Sequence, residues 1–71
     1  MKKNTDAAPA RLLRLREVVK RVGLSRSTVY LRVSQGTFPQ SCPLGGRRVA
    51  WSEAEIERWI QERIASRQEV T

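Results

Sequence analysis

The sequence predicts a mostly helical fold carrying one small β-hairpin, and three observations predict it. Two short segments with helix-period apolar residues are separated only by Gly23-Leu24-Ser25. A Gly45-Gly46 pair lies between two short segments that contain apolar residues. A Ser52-x-x-Glu55 capping box then opens a segment with Ile56, Trp59, Ile60 and Ile64 at offsets 0, 3, 4 and 8. Short helix, tight turn, short helix make a helix-turn-helix, and a Gly-tipped hairpin flanked by arginines makes a wing.

In chain order, residues 1–10 are small, polar and Pro-containing, and read as a disordered N-terminal arm. Residues 11–71 read as one winged domain. Leu12, Leu13 and Leu15 lead in as a short extended stretch. Leu15, Val18, Val19 and Val22 then form one apolar stripe at helical period. Glu17 sits in the first turn and Lys20 and Arg21 in the last, which suits the helix dipole. Gly23 is the stop. Ser25 is a good N-cap for a second helix over Arg26 to Gln35, ended by Gly36. Val29 and Val33 face inward on that helix. Arg26, Ser27, Tyr30, Leu31 and Ser34 are left on the other face. Thr37 to Pro43 is a loop with Phe38 as its core anchor. The last helix is expected from about Glu53 to Arg67. Its stripe needs a partner surface, which helix 1, Val29, Val33, Phe38 and Trp51 supply. Trp51 and Trp59 are read as core rather than as stacking platforms.

The chain of 71 residues carries fourteen Lys and Arg against seven Asp and Glu, a formal net charge of +7. Residues 1–48 hold eleven basic and two acidic residues, a net +9, and residues 49–71 are net −2. A concentrated basic region on a small domain is the electrostatic footprint of a phosphate-backbone partner. The plainer alternative is that arginine only keeps a small protein in solution. Anionic lipid fits less well, because the best amphipathic helix lies in the acidic segment. Nothing approaches the roughly 18 apolar residues of a membrane span. Met1-Lys2-Lys3 is followed by no hydrophobic stretch, so a signal peptide is not expected. The chain has one cysteine, Cys42, and no His, which excludes an internal disulfide and argues against a zinc site. With no metal set and no phosphate-cradling loop, neither catalysis, a cofactor nor a small-molecule substrate is expected. A lone thiol suits a reducing, cytoplasmic setting among nucleoid proteins.

Duplex DNA is therefore the expected partner, with helix 2 in a major groove. Arg26 is the candidate for bidentate contact to guanine. Ser27 and Tyr30 are candidates for base or phosphate contacts. Thr28 is read either as a phosphate donor or as bonded only within its own helix. Arg47 and Arg48 are candidate wing contacts to phosphate or an adjacent minor groove. Arg16, Lys20 and Arg32 are further phosphate candidates. Tyr30 and Leu31 are apolar leftovers on the basic face. They suit a thymine methyl, or are what a small core leaves outside.

The stretches Leu12 to Val18, Gly23 to Tyr30, Gly36 to Pro39, Leu44 to Trp51 and Glu55 to Ile60 resemble the AlpA family of prophage regulatory proteins. The resemblance spans roughly residues 12–67. It implies a winged helix-turn-helix of the MerR/excisionase type and a small DNA-binding regulator of phage or mobile-element genes, often an integrase gene. The family usually follows the tyrosine with a basic residue and then two apolar ones, whereas here the order is Tyr30-Leu31-Arg32-Val33. Arg32 is therefore expected at the edge of the core, its stem covered and its head reaching a phosphate. Three functions stay open: a sequence-specific transcription regulator, an excisionase-like factor that bends DNA, and a small protein that inhibits another regulator through Tyr30 and Leu31. DNA bending and cooperativity between adjacent sites separate the first two. The small footprint makes additional copies of the chain on DNA a further expected partner.

Overall fold

The computed structural model describes residues 10–67. The expected arm, apart from Ala10, lies outside the described residues. The elements run β1 (Leu12–Leu13), α1 (Leu15–Val22), α2 (Arg26–Gln35), β2 (Cys42–Gly45), β3 (Arg48–Ser52) and α3 (Glu53–Ser66).

Local chemistry sets four of the six helix boundaries. Arg14, in extended conformation, precedes α1. Gly23 ends that helix at φ 75°, its N–H donating to the Val19 carbonyl. An L-residue at this angle is strained by about 1–2 kcal/mol, so glycine fits the stop. Ser25 caps α2, its hydroxyl accepting from the Thr28 backbone N–H at 3.2 Å. At the far end, the Gly36 and Thr37 N–H groups bond back to the Val33 and Arg32 carbonyls at 3.1 and 2.9 Å, a Schellman closure. Ser52 caps α3, accepting from the Glu55 N–H at 3.3 Å.

The sheet is antiparallel in the order β1-β3-β2. Leu12 and Leu13 pair with Ser52 and Trp51, so the extended lead-in is a third strand on the hairpin. Pro43 is tolerated because β2 is an edge strand. The hairpin itself differs from the sequence expectation by one residue. A bulge between Pro43 and Gly45 brings Gly45 opposite Arg48. The chain then reverses at Gly46-Arg47 rather than at Gly45-Gly46. Both glycines still adopt positive φ, 111° and 60°. Because the bulge absorbs one residue, Arg47 sits in the tip and Arg48 opens β3.

The core comprises Leu13, Val18, Val29, Phe38, Trp51 and Ile56, ringed by the partly buried Leu15, Val19, Val22, Leu24, Val33, Val49, Trp59 and Ile60. Two expectations change. Leu13 is buried because strand pairing turns it inward, whereas Ile64 is 42% exposed. The stripe of α3 outruns the small surface beneath it. Trp51 is wholly buried and Trp59 only half so. Their indole N–H groups donate to the carbonyls of Pro39 (2.9 Å) and Thr37 (3.1 Å). These two bonds fasten the loop after α2 to β3 and α3. Phe38 inserts between them, edge-on to Trp59 at 4.9 Å between ring centroids. The end of α2 is thus fixed relative to the hairpin. Among the described residues, no helix is long and apolar enough to cross a membrane.

Candidate nucleic-acid interface

The two faces of α1 are chemically different. Glu17 and Arg21, one turn apart, lie on the flank toward α3. The Arg21 guanidinium donates to Glu17 (3.2 Å), to Glu53 (2.9 Å) and to Glu57 (3.1 Å). The hydrogen bonds to Glu17 and then Glu53 raise its pKa above the ordinary guanidinium value. Arg21 therefore clamps α1 to α3. Arg11 joins the same cluster through Glu53 at 3.6 Å. Arg14 is used differently, its Nε donating to the Val49 carbonyl at 3.1 Å. Arg16 and Lys20, also one turn apart, lie on the other flank and are exposed.

Helix α2 turns Val29 and Val33 to the core and leaves Ser27, Tyr30, Leu31 and Ser34 on its exposed face, with Arg26 exposed in its first turn. This is the outward set read from the sequence. Tyr30 is 49% exposed, and its ring leans on Trp51 at 6.5 Å between centroids. That contact joins the outer face of α2 to β3. Arg48 lies three residues from Trp51 on the same strand, about 10 Å at the usual strand rise. The hairpin tip with Arg47 follows directly.

The hydroxyls of the first turn of α2 are partly engaged. The Ser25 hydroxyl donates to Thr28 Oγ1 at 2.9 Å and lies 3.4 Å from the Ser27 hydroxyl. Thr28 is half-buried and belongs to the cap network, which leaves its own hydroxyl proton available. Arg32 is half-buried, as a side chain with its stem against the core edge is.

The basic residues thus divide in two. Arg11, Arg14 and Arg21 are tied within the fold. The side chains of Arg16, Lys20, Arg26, Arg32, Arg47 and Arg48 make no hydrogen bond or ion pair with any described residue. These six unpaired cations are those singled out from the sequence, and three more without such a partner, Arg58, Arg63 and Arg67, lie on or at the end of α3, Arg63 resting over the Trp59 ring at 5.6 Å. The pairing of Arg21 with Glu17 was legible at i,i+4, but the Arg14 bond to β3 had no local signal. Leu31, which the sequence left with two readings, is the most exposed large apolar residue described, at 55%. An open groove of about 680 Å³ lies elsewhere, between the loop after α2 and α3. Glu55 and Glu62 face it together with Arg58 and Arg63. Its mixed charge does not suit a phosphate backbone.

A helix-turn-helix whose second helix presents a polar and basic outer face, followed by an arginine-tipped hairpin, defines a winged helix-turn-helix protein. The family described as Prophage CP4-57 regulatory protein (AlpA) matches residues 11–64, and the chain belongs to that family. It is 37% identical over 64 residues to the DNA-binding transcriptional activator AlpA of Escherichia coli (strain K12), covering 82% of this chain and 91% of that protein. It is 45% identical over 62 residues to the uncharacterized protein ORF88 of Enterobacteria phage P4, covering 87% of this chain and 70% of that protein. No solved structure gives a significant match.

Proposed function

We propose that this chain is a sequence-specific, DNA-binding transcription regulator of prophage genes. It lays α2 in the major groove and the β2–β3 hairpin on the backbone or the adjacent minor groove. The observation that carries the reading is the division of the cations. The fold consumes three arginines internally and leaves six basic side chains of α1, α2 and the wing without an acidic partner among the described residues. An unpaired set of this kind is what counterion release from DNA requires. The AlpA relative from E. coli, named as a DNA-binding transcriptional activator, supports the same reading.

The ten residues of α2 span about 15 Å, and a major groove about 12 Å wide admits a helix. In this arrangement Arg26 reads guanine, and Ser27 and Tyr30 contact bases or phosphates. Thr28 donates its remaining hydroxyl proton to a phosphate. Arg16, Lys20 and Arg32 neutralise backbone charges beside the groove, and Arg47 and Arg48 do so from the wing. A domain this small covers a short site, so adjacent copies on one duplex supply the rest of the affinity.

Selection from a random duplex library at physiological salt tests the proposal. A defined motif should emerge, and Arg26→Ala should relax one of its positions at a cost of about 1–3 kcal/mol. Failure to enrich any motif, with no binding even in dilute buffer, overturns it.

A further inference from the structure

The face of α2 turned away from the core has a definite crest. At about 100° per residue, Leu31 projects about 180° from the midpoint of Val29 and Val33. It is the residue farthest round from the core side and is 55% exposed. Ser27 stands one turn before it and Ser34 nearly one turn after. Both serine hydroxyls have local neighbours. Ser34 donates to the Leu31 carbonyl at 2.6 Å, and Ser27 lies 3.4 Å from the Ser25 hydroxyl. Tyr30, the other large side chain of this face, leans sideways onto Trp51. The hydrophobic core is assembled without Leu31. The crest of a helix meant for a polar groove therefore carries one branched apolar side chain, with two short, locally occupied hydroxyls to either side and the exposed Gln35 one turn after it.

On the floor of a major groove one apolar group is available, the 5-methyl of thymine. We infer that Leu31 is a specificity-determining residue that packs on a thymine methyl, reading one T·A pair per bound copy. This rests on the proposed docking of α2 and adds to it the base that the crest selects. Arg26 and the wing set affinity and a guanine contact. Leu31 distinguishes thymine from any base without a methyl at that place.

The test uses the full chain and the duplex that emerges from library selection. Each thymine of that duplex is replaced in turn by deoxyuridine, which removes the methyl and keeps the Watson–Crick and groove hydrogen-bonding groups. One thymine per bound copy should be sensitive, its replacement weakening binding about fourfold, as expected for one buried methyl. Leu31→Ala should bind the thymine and uracil duplexes equally. Leu31→Gln, which keeps length but not apolarity, should also lose the preference. Both variants should keep the wild-type thermal midpoint, since the side chain is exposed. Three results overturn the inference: a selected site with no thymine, no thymine whose methyl matters, or a methyl preference that survives Leu31→Ala. Tight binding with no methyl effect removes Leu31 alone from the account. Absence of binding to any duplex removes the docking of α2 as well.

Discussion

Removing both wing arginines gives the clearest quantitative prediction. Arg47 lies in the hairpin tip and Arg48 opens β3, and both side chains are exposed. Neither makes a hydrogen bond or ion pair with a described residue, so Arg47→Ala/Arg48→Ala should shift folding stability by no more than about 0.5 kcal/mol. If both guanidiniums sit on duplex phosphates, each contributes about 0.9 to the slope of log affinity against log salt, and the pair about 1.8. Between about 50 and 200 mM salt the wild type should then lose about twelvefold more affinity than the double variant. The assay is an equilibrium titration of a labelled duplex at four or five salt concentrations, with a thermal melt of each protein as control. The weakening should be similar on selected and scrambled duplexes, because phosphate contacts carry no sequence information. An unchanged slope with intact folding would refute the wing's role, and weakening confined to one base position would move these residues to base readout.

The remaining predictions separate structural from binding residues. Arg21→Ala should lower the thermal midpoint, because it breaks the clamp to Glu17, Glu53 and Glu57, yet leave the salt slope of binding unchanged. A reduced slope would place Arg21 on the duplex instead. Trp51→Ala removes a fully buried ring and the bond to Pro39, at a cost of roughly 3–5 kcal/mol. That should abolish the cooperative melt of so small a domain, and a retained melt would contradict the packing described. Ser25→Ala should cost about 1 kcal/mol through the lost cap of α2, read by denaturant titration. Gly23→Ala should cost about 1–2 kcal/mol from backbone strain alone, since a Cβ there meets nothing within 4 Å.

Much of the fold was legible because its boundaries are local. Gly23, Ser25, Gly36 and Ser52 each mark a helix end by their own chemistry: α1 ends, α2 begins and ends, and α3 begins where these residues predict. Non-local features were not legible. The pairing of Leu12–Leu13 with Trp51 and Ser52 joins segments almost forty residues apart, and two residues carry no periodicity that names a partner. Leu13 entered the core for that reason. The reversal at Gly46-Arg47 depends on a bulge that the Gly-Gly pair conceals. Ile64 obeys the helical stripe but extends past the surface that would cover it. The two indole bonds that hold the loop after α2 depend on tertiary contact alone. At the candidate interface, exposure of the α2 face followed from the placement of Val29 and Val33. The swapped order Leu31-Arg32 also had a readable consequence, since it puts the apolar side chain outside and leaves the arginine half-covered.

Backbone amide shifts of labelled protein, followed as the selected duplex is added, address the DNA-facing surface directly. The largest changes should fall on residues 25–34 and 45–48, with smaller ones near Arg16 and Lys20. Amides of Glu55, Arg58 and Glu62 on α3 should stay in place. Changes centred on that α3 face, with α2 and the hairpin silent, would contradict the proposed mode of binding.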